Sequence, residues 1–273
     1  MFIYEAQKLL REKKITPSIL LKESIEKIEE WKRLGAFITT NIDQVLELAA
    51  KQDKILELEY DKLPTLFGIP LALKDNIYTK NLQTTAGSLF WKDFVPTQDA
   101  QVVTKLKNSG ALLVGKTNMH EIALGVTSNN PHYGPCLNPH DNSRVAGGSS
   151  GGSAIAVATG MALGALGTDT GGSIRIPASL CGVVGFKSSY GTVSTRGIIP
   201  LSWHLDHVGP IATCVEDVKI IFNIIAGYDS KDPFSVKNAN KKSKSIEKNQ
   251  IRIAKAVGNF INEADANVLK MFD

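Results

Sequence analysis

Apolar and polar positions along this chain follow two spacings, one helical and one extended. Residues 3–13 predict a short helix. Thr16 and Pro17 then supply an N-cap followed by proline at the first helical position. Ile19, Leu20, Ile25 and Ile28 give the next helix an apolar face at helical spacing. Another helix is expected over residues 42–57. An amphipathic helix is expected over residues 99–109, closed by Gly110. Residues 68–73, ending at Lys74, and residues 111–114 are short apolar runs that predict buried strands. Residues 153–163 predict a helix of small residues. Helices alternating with short apolar strands indicate an α/β sheet with helices on its faces. No internal repeat is visible. At 273 residues the chain is long enough for one large domain, residues 1–273, with a sizeable core. The low-complexity stretch 237–249 reads as a surface loop or linker.

Composition changes this picture little. Hydrophobic content of 43% and charged content of 21% are ordinary for a globular protein. A net charge of +4, with much of the excess in KNANKKSKSIEK, gives no clustered basic face for nucleic acid. Cys136, Cys181 and Cys214 form no CxxC pair, and a sparse, odd count points to a reducing, cytoplasmic setting. The N-terminus lacks a secretory pattern. The most apolar run, AIAVATGMALGALG, is too short and glycine-rich to span a membrane. Its Gly160-x-x-x-Gly164 spacing is read as a buried helix packed closely through small residues.

Chemistry concentrates between Gly147 and Lys187. Two glycine-flanked serine clusters, GGSSGGS and TDTGGSIR, bracket the run of small apolar residues. Glycine beside serine lets the backbone turn tightly and brings amide N–H groups close to whatever the serine touches. A serine nucleophile with an oxyanion hole needs that arrangement. The hydroxyl also needs a base, and none of the five histidines adjoins either cluster.

This stretch resembles the amidase signature family almost residue for residue. FGIPLALKDNIYTKNLQTTAGS upstream, and YGTVSTRGIIPLSWHLDHVGPIATCVEDV downstream, are also similar to that family. The resemblance implies an amidase signature α/β fold with a central mixed sheet flanked by helices. It implies a Ser–Ser–Lys relay: Ser173 as nucleophile, Ser149 as the bridging serine on a cis peptide bond, and Lys74 as terminal base. The backbone amides of Thr170, Gly171, Gly172 and Ser173 match the family's oxyanion hole. No metal and no organic cofactor is implied. Lys74 must be neutral to act, and the apolar GIPLAL before it would lower its pKa by desolvation. Ser150 stands as a secondary hydrogen-bonding partner that sequence does not separate cleanly from Ser149. Asp169 and Arg175 are expected to brace the loop.

Other motifs carry less. GALLVGKT matches the phosphate-loop pattern, but its interior is apolar and reads as a strand. His120-Glu121 lacks the second histidine of a zinc-protease motif, and His204 with His207 has no further ligand cluster. No cysteine sits in a basic, glycine-rich setting suited to a nucleophile.

Family members continue well beyond the equivalent of Asp273, so the C-terminal part of the fold is expected to be missing. The last segment reads as the start of a further βα unit. A fragment, a frameshift product and half of a split enzyme are all consistent with this. The expected activity is hydrolysis of a small amide to an acid and ammonia or an amine. NNPHYGPCLNP and LSWHLDHVGP favour a general amidase. The alternatives are the A subunit of glutamyl-tRNA(Gln) amidotransferase, with its partner subunits, and an inactive truncated interaction protein. No membrane and no direct nucleic-acid partner is expected, and a homo-oligomer is open.

Overall fold

The extended and helical spacings resolve into alternating elements in a computed structural model, which describes residues 1–58, 63–237, 252, 254–255 and 257–272. Contacts divide the chain into Met1–Asn240 and Lys241–Asp273. In the first unit the elements are α1 (Ile3–Arg11), α2 (Pro17–Glu30), β1 (Phe37–Thr40), α3 (Ile42–Leu58), β2 (Pro70–Lys74), α4 (Gln101–Asn108) and β3 (Leu112–Thr117). There follow β4 (Asn129–Asn130), β5 (Gly134–Pro135), α5 (Gly151–Ala158), β6 (Gly164–Asp169), α6 (Arg175–Leu180), β7 (Val184–Gly185), β8 (His207–Ala212) and α7 (Val215–Ile225). The second unit contains α8 (Asn259–Asn262) and α9 (Ala266–Phe272).

The main sheet is mixed, with strand order β1-β3-β2-β6-β8-β7. β3, β2 and β6 run parallel, while β1 and β8 are antiparallel to their neighbours. Strand alternation sends successive side chains to opposite faces. Leu71 and Leu73 of β2 and Leu166 of β6 join a core with Ile3, Val103, Leu106, Ile221 and Ile225, from α1, α4 and α7. Ala72 and Ala165 join the opposite core with Leu21, Val45, Ala49, Ile155 and Val157, from α2, α3 and α5. The expected α/β architecture, a mixed sheet flanked by helices, is the one observed.

Local expectations differ in places. Thr16 caps α2, its Oγ1 accepting from the Ile19 amide at 3.3 Å. Ile19, however, is exposed, and α2 buries Leu20, Leu21, Ser24 and Ile28. The run Ile19-Leu20-Leu21 is apolar throughout, so spacing alone does not set the helix phase. The small-residue helix begins at Gly151 and ends at Ala158, short of residue 163. The chain turns at Gly160 and Gly164 opens β6, so no helix packs through that glycine pair. Beyond Lys237, the expected linker 237–249 lies outside the described residues. Where a further βα unit was expected at the end, the described residues form α8 and α9, and the segment expected as its strand lies partly outside the described residues. Among the described residues no helix is long and apolar enough to cross a membrane.

Candidate active site

Parallel pairing of β2 with β6 brings their C-terminal ends together, the edge of a sheet where α/β proteins place ligands. Lys74 closes β2. It lies two residues after Ala72 and so falls on the side of the sheet packed by α5. The turn before α5 carries Ser149 and Ser150. The first turn of α5 itself approaches neighbouring backbone closely: a Cβ added to Gly152 would lie 2.3 Å from the Ala36 carbonyl oxygen. The peptide between Gly148 and Ser149 is cis.

Lys74 is completely buried. Its Nζ lies 2.7 Å from Ser149 Oγ, 2.7 Å from Thr168 Oγ1 and 3.4 Å from the Thr168 carbonyl oxygen. Among the described residues no carboxylate pairs with it. Burial drives its pKa down to about 7, opposed by the more distant charges of Asp206 and Asp169. A buried amine that loses its proton near neutrality is a usable base, and one of the two hydroxyls 2.7 Å from it belongs to a serine.

Ser150 has a different set of partners. Its Oγ donates to the Thr168 carbonyl at 3.2 Å and accepts from the Thr168 amide at 3.3 Å. Its own amide donates to the Ser173 carbonyl at 3.1 Å. Ser150 therefore stitches the α5 turn to β6 and to the second serine cluster, while Ser149 alone of the two faces Lys74.

Ser173 sits in the turn between β6 and α6 and is 6% exposed. Its Oγ makes no hydrogen bond among the described residues. Asp169 braces the turn. Its carboxylate accepts from the Ile174 amide at 3.1 Å and from Arg175 Nε and Nη2 at 3.0 and 2.9 Å. Burial pushes the Asp169 carboxyl up, but these donors outweigh it and hold the pKa below the usual carboxylate range. Gly172 has φ +140°, a backbone conformation that side chains disfavour. Among the described residues the amides of Thr170, Gly171, Gly172 and Ser173 donate to nothing, so a run of free N–H groups surrounds Ser173. Asp206 anchors this run: its carboxylate accepts from Thr170 Oγ1 at 2.5 Å and from the Leu201 amide at 2.8 Å.

Sequence reasoning overlooked Thr168, Asn76 and Asp206. Thr168 and Asp206 stand inside quoted motifs, TDTGGSIR and LDHVGP, yet spacing says nothing of which atoms they meet. The discarded motifs have structural partners. GALLVGKT contributes β3, buried throughout, with Lys116 Nζ 3.2 Å from Asp75 Oδ1. His207 Nδ1 lies 2.7 Å from the Leu205 carbonyl, and His120 Nδ1 lies 3.3 Å from Thr127 Oγ1. All three cysteines are free thiols, and burial pushes Cys181 up to about 12. A cleft of about 500 Å³ lined by Leu20, Glu23, Lys27, Thr159 and Gly160 lies at the other end of α5 from the serines.

A family model described as Amidase matches residues 20–273. The A subunit of the glutamyl-tRNA(Gln) amidotransferase from Sulfurihydrogenibium sp. is 45% identical over 232 residues, covering 85% of this chain and 48% of that protein. The solved peptide amidase of Stenotrophomonas maltophilia superposes with a TM-score of 0.81 at 36% identity, over 90% of this chain and 51% of that one. The solved A subunit of the Thermotoga maritima glutamyl-tRNA(Gln) amidotransferase gives a TM-score of 0.74 at 39% identity, over 87% and 49%. The chain thus spans about half the length of the relatives it matches.

Proposed function

Because the chain belongs to the amidase signature family, we propose that it hydrolyses a carboxylic amide through an acyl-enzyme on Ser173. Neutral Lys74 takes the proton of Ser149, Ser149 takes that of Ser173, and Ser173 Oγ attacks the amide carbonyl carbon. The free amides of residues 170–173 receive the oxyanion. Collapse of the tetrahedral intermediate breaks the C–N bond, and the relay returns its proton to the leaving ammonia or amine. Water, deprotonated by the same relay, then attacks the ester. The acid leaves and Ser173 is restored. The observation that carries this reading is a fully buried lysine, titrating near 7, with its Nζ 2.7 Å from Ser149 Oγ. No step calls for a metal or an organic cofactor. The free cysteines support a reducing, cytoplasmic setting.

A fluorophosphonate should label Ser173, and Ser173→Ala should abolish both labelling and amide hydrolysis. Peptide mapping that placed the label on another residue would overturn the assignment.

A second reading is favoured by the name of the 45%-identical relative: release of ammonia from glutamine as the A subunit of an amidotransferase. Ammonia release from glutamine, with co-purification of further subunits, separates it from turnover of simple amides by the chain alone.

A further inference from the structure

We propose that Thr168 is the residue that positions the Lys74 amine against Ser149; the inference rests on the relay described above. Among the described residues the Nζ of Lys74 has three hydrogen-bonding oxygen neighbours, Ser149 Oγ, Thr168 Oγ1 and Thr168 O. An ammonium has three N–H donors and can fill all three. A neutral amine has two N–H groups and one lone pair, and it works as a base only if that lone pair faces the proton to be taken. The Thr168 carbonyl can only accept, so one N–H goes there. The second N–H and the lone pair are then divided between two hydroxyls.

Asn76 holds the threonine hydroxyl in place. Its Nδ2 donates to Thr168 Oγ1 at 3.2 Å and to the Ile199 carbonyl at 3.3 Å. Thr168 Oγ1 thus lies between two nitrogens, Asn76 Nδ2 and Lys74 Nζ, and the amide restrains its position. Two of the three oxygens around Lys74 Nζ belong to this one residue, and the third is Ser149 Oγ.

Thr168 is itself held on both sides of its backbone. Ser150 Oγ donates to its carbonyl and accepts from its amide. This gives Ser150 a place in the relay without contact to Lys74: it fixes the strand end that orients the base. Thr168 acts through Lys74 and is a positioning residue, with Asn76 and Ser150 as its supports.

Removing the Thr168 hydroxyl while keeping the branched shape should release the Lys74 amine from its place beside Ser149. Thr168→Ser should keep the hydroxyl and the function. The test is the rate at which a fluorophosphonate labels Ser173 in the full chain, at about pH 8.5, where an amine titrating near 7 is neutral. The proteins compared are the unaltered chain, Thr168→Val, Thr168→Ala, Thr168→Ser and Lys74→Ala, each checked by thermal melting. Thr168→Ala is a second hydroxyl-free variant that carries the test if Thr168→Val does not fold. The hydroxyl-free variants should label about 10- to 100-fold more slowly, part of the 10²–10⁴ that a general base supplies. Thr168→Ser should stay within about three-fold of the unaltered chain. Labelling of folded Thr168→Val or Thr168→Ala at the unaltered rate, with Lys74→Ala at background, would overturn the proposal. Equal slowing of Thr168→Ser and Thr168→Val would also overturn it, because the lost threonine shape would then be the cause. Labelling of Lys74→Ala at the unaltered rate is a different outcome and would remove the relay itself.

Discussion

Lys74 and Lys116 lie on adjacent parallel strands, Lys116 beside Leu73 and Lys74 beside Thr117. Both are completely buried. Their surroundings differ in one respect. Lys116 Nζ lies 3.2 Å from Asp75 Oδ1 and donates to Thr84 Oγ1 at 2.7 Å. Among the described residues Lys74 meets only hydroxyls and a carbonyl. Burial lowers the pKa of both, and at Lys116 the charge and hydrogen bond of Asp75 push back. Around Lys74 the two carboxylates that would stabilise its charge are committed elsewhere, Asp169 to Arg175 and Asp206 to Thr170. Asp75 follows Lys74 directly in the chain, yet its carboxylate turns to Lys116 and to the Thr85 amide at 2.8 Å. Burial and a lowered pKa are common to the two lysines and do not distinguish them; the partner does, a carboxylate at Lys116 and a serine hydroxyl at Lys74.

The sharpest separation of the two lysines is in turnover. Lys74→Ala should reduce amide hydrolysis and Ser173 labelling by about 10²–10⁴, the range of a lost general base. Activity within ten-fold of the unaltered chain would place Lys74 with Lys116 as a structural group. Stability should rank them the other way. Lys116→Met leaves the Asp75 carboxylate buried without its cation, which costs about 3–5 kcal/mol. Denaturant melts should show that loss, and a smaller one for Lys74→Met, which strands no charge. Equal losses would break the comparison. A finer effect is expected at Asp206, whose charge raises the Lys74 pKa. Asp206→Asn should favour the neutral amine and move the acid limb of the pH–rate profile to lower pH. A shift to higher pH would show that the carboxylate does not act on Lys74.

The parts of this site that could be read from sequence are those set by local motifs. The glycines beside Ser149 and Ser173, and the apolar residues before Lys74, mark a turn, a turn and a strand end without any tertiary information. The strand expected over residues 111–114 was legible for the same reason, as an apolar run after Gly110; it is observed as Leu112–Thr117, running on through Gly115, Lys116 and Thr117, which carry no apolar signal. What was not legible depends on register. Ser150 and Ser149 are adjacent and chemically identical; only the packing of α5 against β6 sends one to Thr168 and the other to Lys74. Thr168 and Asn76 meet across 92 residues of chain, and no local pattern records that. The end of α5 at Ala158 was missed because helix, turn and β6 are all built from small apolar residues, which have no distinguishing period. The phase of α2 was misread at Ile19 because the pattern there is apolar at every position.

The central claim is that Lys74 acts as a neutral base, and the pH dependence of Ser173 labelling tests it most directly. The rate is to be followed from about pH 5 to about pH 10, spanning the depressed and the ordinary lysine range. Only the neutral amine accepts a proton, so the rate should be low in acid and rise with a midpoint of about 7. It should be lost again as pH falls through that value and Lys74 takes up its proton. A midpoint near 10, where an ordinary solvent-exposed lysine titrates, or a rate that does not change with pH while Ser173→Ala still abolishes labelling, would contradict the account.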